Sequence, residues 1–202
     1  MFRLICIVMG YFIGCIQSAY IVGKIWHVDI RKHGSGNLGS TNALRVLGKK
    51  AAAITFTCDI LKAVAAFVLG YYIFGRNVTA GIYAGAGAVL GHDFPFYLSF
   101  KGGKGIAATI GITLCLGAVV SPWIALVSYC LGIIGVLIKG YVSMGSLLFI
   151  CSAAVMCFLS SMGTEPSVVF ALMAALAVYQ HRANISRILH GNENSLYKKK
   201  KA

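Results

Sequence analysis

Seven apolar stretches, at about residues 4–26, 51–74, 79–91, 106–120, 123–138, 142–160 and 167–180, leave this chain little water-soluble surface to fold around. A helix needs about 20 apolar residues to cross a bilayer, and inside lipid the backbone must pair within the protein. Only the first, second and sixth stretches approach that length. The others are expected to be short, tilted or partly re-entrant, and five full spans is the alternative count. Of the 202 residues 58% are hydrophobic and 11% charged, against roughly 25% charged in a soluble domain. The expected architecture is therefore an all-α, polytopic membrane helix bundle of about seven transmembrane segments, forming one integral membrane domain over residues 1–202. Ser121-Pro122 and Glu165-Pro166 mark helix breaks, because proline lacks a backbone donor and restricts the residue before it.

Arg3 followed by an apolar run resembles a signal peptide, and Ile13-Gly14-Cys15 resembles part of a lipoprotein cleavage box. Phe12 stands where such boxes favour Leu, and the run continues to Trp26. This segment is accordingly expected to remain as a first transmembrane helix.

The net charge of +13 arises from eighteen Lys and Arg against five acids, Asp29, Asp59, Asp93, Glu165 and Glu193. These basic residues lie between oily segments, which points to anionic lipid or a phosphorylated substrate and away from nucleic acid. With seven segments, Arg31, Lys32, Arg45, Lys49, Lys50, Lys101, Lys104, Lys139, Arg182, Arg187 and Lys198 to Lys201 share one side, and the opposite loops hold Arg76. The positive-inside rule then places the amino terminus outside and the carboxyl terminus in the cytoplasm. All seven cysteines lie within apolar runs, and no histidine pair has helical ligand spacing. No metal and no other cofactor is expected.

Three polar clusters fall on the cytoplasmic side. His33 to Asn42, HGSGNLGSTN, is followed by Arg45. Its GxGxxG spacing lacks the flanking strand and downstream acid of a dinucleotide fold. What remains is a donor-rich loop. Gly36 and Gly39 permit close approach, Ser35, Asn37, Ser40, Thr41 and Asn42 offer hydrogen bonds, and Arg45 can clamp a phosphate in bidentate fashion. A solvated turn with helix caps is the alternative. The second cluster, GHDFPFYLSFKGGKG, places Lys101 and Lys104 among Gly102, Gly103 and Gly105, whose amides can converge on one anion. It is no nucleotide-binding P-loop, since Lys104 precedes Gly105 and not Ser or Thr. A basic turn is its plainer reading. The third cluster, HRANISRILHGNE, leaves the last apolar segment. As a helix it would share His181, Asn184, Ile185 and Ile188 on one face, with Arg182 and Arg187 elsewhere, facing headgroups. The closing Lys198 to Lys201 read as a basic lipid anchor.

Together SGNLGSTN with Arg45, GHDFPFYLSFKGGKG and HRANISRILHGNE resemble the three signature motifs of the bacterial acyl-phosphate:glycerol-3-phosphate acyltransferases, the PlsY family. The likeness extends to GYFIG and AYIVGK in the first segment. Leu38, Ser40, Gln17, Asp93 and Asn192 depart from common family residues, and none of these removes a presumed catalytic group. The resemblance implies transfer of a fatty acyl chain from acyl phosphate to the 1-hydroxyl of glycerol 3-phosphate at the cytoplasmic face of the bacterial inner membrane. An acyl-phosphate-forming enzyme would supply the donor. It also implies a phosphate contact from Ser143 in GYVSMGS and support of the third motif by Glu193.

Such a site must offset repulsion between two phosphates, for which Arg45, Lys104 and loop amides are the candidates. Ser35 is either a nucleophile or a hydrogen-bond donor to phosphate or oxyanion; no base lies beside it in sequence, which favours the donor role. His181 is either a general base, with Asn184 orienting it or binding substrate, or a binding group if a donor phosphate oxygen takes the proton. No histidine is followed five positions later by Asp, an arrangement common among thioester-dependent glycerolipid acyltransferases. Asp59 and Lys62, three apart, suggest an intramembrane ion pair supporting the scaffold. A transporter for a phosphorylated anion is the competing class.

Overall fold

The computed structural model describes residues 1–197, so Lys198 to Lys201 lie outside the described residues. Ten α-helices and no β-strand occur among those residues: α1 Phe2–Gly14, α2 Ser18–Ile25, α3 Ser40–Leu47, α4 Lys49–Ile73, α5 Val78–Asp93, α6 Ile106–Val119, α7 Pro122–Lys139, α8 Val142–Leu159, α9 Thr164–Gln180 and α10 Arg182–Leu189. They divide into two compact units, Met1–Cys115 and Leu116–Ala202, with the boundary inside α6.

Local chemistry sets several of these ends. Pro122 occupies the start of α7 and Pro166 the first turn of α9, where a missing N–H costs nothing. The Asn77 side chain accepts from Ala80 N at 3.1 Å and caps α5. Gly140, at φ +70°, ends α7 in the left-handed conformation, and the Leu196 N–H closes on its carbonyl at 2.9 Å.

Four spans are long and apolar enough to cross a membrane: Phe2–Ile25, Lys49–Ile73, Pro122–Lys139 and Val142–Leu159. Thr164–Gln180 with Arg182–Leu189 makes a fifth if that pair, bent by 56°, is one span. The fifth apolar stretch is thus longer than expected. The first differs more, since the chain breaks between α1 and α2 at Cys15–Gln17. The freed carbonyls find side-chain donors, Tyr97 Oη on Cys15 O at 2.6 Å and Lys62 Nζ on Ile16 O at 2.7 Å. A break buried in lipid survives where neighbouring groups satisfy it.

In the first unit α1 and α5 approach through small residues. A Cβ on Gly10 or Gly14 would collide with the backbone of Ala84 or Ala88, and one on Gly87 or Gly91 with that of Ile7 or Tyr11. Each helix thus presents glycines four apart to the other, which lets the backbones pack in van der Waals contact. Gly87→Leu is expected to destabilise the protein by about 3 kcal/mol through overpacking, read as a lowered unfolding midpoint in detergent. An unchanged midpoint would contradict this close approach. Leu61, Leu126, Ile133, Leu137 and Leu172 remain exposed, an apolar surface suited to lipid.

Candidate functional site

The first two clusters are both in the first unit, and the fold fastens them to each other. Leu38 N–H points to Gly102 O at 3.4 Å. Leu38 is also buried in one apolar cluster with Ala19, Ile30, Ala43 and Leu98. The loop of the first cluster therefore shares its packing with the turn that launches the second.

Asn42 shapes the first loop from within. It is 1% exposed, its Oδ1 accepts from Ser35 N at 2.9 Å, and its Nδ2 donates to Ile30 O at 3.3 Å and His33 O at 3.2 Å. Ser40, Thr41 and Asn42, expected in the loop, form the first turn of α3 behind Gly39. Gly36 and Asn37 lie half-buried beside exposed Ser35, and Thr41 is exposed. Arg45 is half-buried on α3 without a carboxylate partner among the described residues. Arg31, close in sequence, is already engaged, since its Nε and Nη2 each donate to the Asp29 carboxylate at 2.9 Å. That hydrogen bonding holds the Asp29 carboxyl down to about 2.

The second loop is held by side chains at the α1–α2 break. Tyr11 Oη donates to Phe94 O at 2.8 Å, and Gln17 Nε2 donates to His92 O at 2.9 Å and Gly91 O at 3.2 Å. Ser99 and Phe100 adopt left-handed backbone angles, φ 53° and 57°, a conformation that costs energy in residues with side chains. The strained turn delivers exposed Lys101, then Gly102 to Gly105, with Lys104 half-buried. Gly102 N and Gly103 N bond the carbonyls of Asp93 and His92, each at 3.0 Å. Two of the amides expected to converge on an anion are thus spent on the protein itself, and the loop presents Lys104 from a braced backbone. Gly105, at φ +71°, opens α6, and its carbonyl accepts from both Thr109 N and Thr109 Oγ1 at 2.8 Å.

The third cluster and Ser143 belong to the second unit. His181 is buried at the bend between α9 and α10, its Nδ1 2.7 Å from the Ala177 carbonyl. A carbonyl only accepts, so Nδ1 carries the proton and Nε2 is the basic nitrogen of the neutral ring. Glu193 returns to α10 and takes Asn184 Nδ2 at 2.9 Å and Arg187 Nε at 2.8 Å. Arg187, expected to face headgroups, is instead bound by this buried carboxylate. Arg182 stacks over the Tyr179 ring at 4.3 Å. Ser143, in the first turn of α8, has a buried Oγ with no hydrogen-bond partner among the described residues. No group of three or more potential metal ligands occurs among the described residues.

The Asp59–Lys62 pair suggested by spacing is present at 2.8 Å. His92 was not legible as its third member. Thirty residues separate it from Lys62, and no helical spacing announces that contact.

The family described as Glycerol-3-phosphate acyltransferase matches residues 4–191. A glycerol-3-phosphate acyltransferase of Thermoanaerobacter pseudethanolicus is 40% identical over 98% of both chains, and one of Alkaliphilus metalliredigens is 42% identical over 98% of both. The crystal structure of PlsY, an integral membrane glycerol 3-phosphate acyltransferase, in its glycerol 3-phosphate form aligns at TM-score 0.87 and 34% identity. It covers 96% of this chain and 95% of that one. Its lysophosphatidic acid form aligns at TM-score 0.84. Sequence and fold agree that this chain is an integral membrane protein belonging to the glycerol-3-phosphate acyltransferase family.

Proposed function

We propose that this protein transfers a fatty acyl group from an acyl phosphate to the 1-hydroxyl of sn-glycerol 3-phosphate, giving lysophosphatidic acid and inorganic phosphate. The observation that carries this reading is the joining of the first two clusters through Leu38 and Gly102. It couples the hydroxyl-rich loop bearing Ser35 and Arg45 to the braced loop bearing Lys104. Phosphate recognition asks for such a set: a planar guanidinium, a point-like ammonium and short donors.

The hydroxyl oxygen attacks the acyl carbon, the acyl carbon–oxygen bond to phosphate breaks, and the hydroxyl proton ends on the departing phosphate. An acyl phosphate is already an activated mixed anhydride, so the protein's task is positioning and charge stabilisation, with no cofactor. Arg45 and Lys104 offset the mutual repulsion of the two phosphates, and exposed Lys101 adds a screened attraction. Ser35 donates to a phosphate oxygen or to the developing oxyanion. Ser143, whose buried hydroxyl lacks a protein partner, donates to phosphate. Loop amides, including those of Gly39 and Gly105, are further donors, while Gly36, whose N–H bonds His33 O at 3.1 Å, Asn42, Gly102 and Gly103 serve through loop shape. His181 receives the hydroxyl proton at Nε2 and passes it on, and Glu193 holds Asn184 in place beside it in sequence.

The charge asymmetry supports a cytoplasmic site in the bacterial inner membrane, with the amino terminus outside. An acyl-phosphate-forming enzyme supplies the donor. The missing His-x4-Asp pattern favours a phosphate over a thioester donor.

The test is reconstitution of purified protein with labelled glycerol 3-phosphate and either palmitoyl phosphate or palmitoyl thioester. Labelled lysophosphatidic acid is expected from the phosphate alone. Product from the thioester alone would overturn the donor assignment, and no product from either would overturn the activity.

A further inference from the structure

Beneath the glycine–lysine loop lies a charged array that the acyl-transfer steps do not use. Asp59 and Lys62, on α4, are 1% and 7% exposed, and His92, near the end of α5, is 3% exposed. Lys62 Nζ lies 2.8 Å from Asp59 Oδ1 and 2.9 Å from His92 Nδ1, and donates to Ile16 O at 2.7 Å. Ser18 Oγ donates to the same Asp59 oxygen at 2.9 Å. Asp93, also buried, acts electrostatically on Lys62. Burying such groups is costly, and replacing a buried ion pair with apolar residues is often neutral or stabilising. Scaffold support alone is therefore a weak reason for an ammonium, two carboxylates and an imidazole at this depth.

The array touches the loop at two neighbouring residues, Asp93, whose carbonyl accepts from Gly102 N at 3.0 Å, and His92. His92 O accepts from Gly103 N at 3.0 Å, while the His92 ring stands where a Gly103 side chain would be, since a Cβ there would collide with Nε2. An ammonium only donates, so His92 Nδ1 accepts from Lys62 and the ring proton sits on Nε2, toward Gly103. The imidazole is gripped from one side by α4 and carries the loop on the other.

We propose that Asp59, Lys62 and His92 are positioning residues for the glycine–lysine loop. Asp59 and Lys62 lock the imidazole, and Gly103 closes on it, which fixes where Lys104 meets phosphate. The inference rests on assigning this loop to the phosphate of glycerol 3-phosphate.

The experiment combines acylation kinetics with direct binding of labelled glycerol 3-phosphate to detergent-purified enzyme. The variants are Lys62→Met, His92→Ala, Gly103→Ala and the His92→Ala/Gly103→Ala double. Lys62→Met and His92→Ala are expected to raise KM and Kd for glycerol 3-phosphate by about tenfold or more, with KM for the acyl donor within about twofold. A purely structural role would lower the yield of folded enzyme and leave both KM values in place. Gly103→Ala is expected to lose about a hundredfold in kcat/KM. Removing the ring makes room for the new methyl group, so the double variant is expected to be no worse than Gly103→Ala alone. Independent sites would instead multiply their losses.

Multiplied losses, or an unchanged KM for glycerol 3-phosphate in His92→Ala, would overturn the proposal. If His92→Ala does not fold, the same cycle with His92→Gln decides by the same outcomes, because Gln keeps an acceptor for Lys62 and withdraws the ring. Wild-type enzyme that binds no glycerol 3-phosphate sinks the substrate assignment itself. Wild-type binding matched by every variant sinks the positioning device alone.

Discussion

Lys104→Ala is expected to lower kcat/KM for glycerol 3-phosphate about a thousandfold while leaving the unfolding midpoint nearly unchanged. The magnitude follows from the proposed role, since the substitution would remove a preorganised charge from a site that holds two phosphates together. Its neighbour marks the contrast. Lys101 is exposed, and Lys104 is half-buried between two glycines on a backbone tied to His92 and Asp93. Lys101 acts through solvent, where salt screens it, so Lys101→Ala is expected to lose less than about tenfold, and less still at high ionic strength. Lys104→Arg tests shape against charge. A guanidinium keeps the positive charge and replaces a compact ammonium with a longer planar fork, and activity is expected to stay well below wild type. Turnover near wild type in Lys104→Ala, measured with palmitoyl phosphate, would remove this residue from the site.

The elements that place Lys104 were unequally legible in the sequence. Hydropathy and proline placed the helices well, because Pro122 and Pro166 act through local backbone chemistry. The break at Cys15–Gln17 was hidden, since its carbonyls are satisfied by Tyr97 and Lys62, distant residues whose approach no periodicity encodes. Gln17 within an apolar run was the available signal. Its amide bonds the backbone of Gly91 and His92, and that backbone belongs to the second cluster.

The clusters themselves were visible as residue types, and their internal division of labour was not. Asn42 looked like another donor for phosphate, yet its three hydrogen bonds all go to the backbone of Ile30, His33 and Ser35. Arg187 looked like a headgroup contact, yet Glu193 folds back six residues to bind it. In both, a polar side chain serves the shape of the chain, a use that composition cannot separate from ligand binding. Residue chemistry states what a segment can bind. Only the fold says which donors are already spent.

His181→Ala is expected to lower kcat about a hundredfold, within the range typical of lost general base catalysis. The Ala177 carbonyl accepts from His181 Nδ1 at 2.7 Å and so leaves Nε2 as the proton acceptor. A base acts in its neutral form, so protonation of the ring removes it and lowers the wild-type rate. His181→Gln separates proton transfer from binding, because the amide oxygen can accept a hydrogen bond from the substrate hydroxyl and cannot carry its proton. The expected result is a large loss of kcat with a smaller change in KM for glycerol 3-phosphate, and disappearance of the acid limb contributed by His181. Near-normal turnover in His181→Gln with the wild-type pH profile would move the proton directly to the donor phosphate and leave His181 as a binding group. The pH profile carries the decision, since a misfolded variant lowers the rate at every pH and a lost base reshapes the curve.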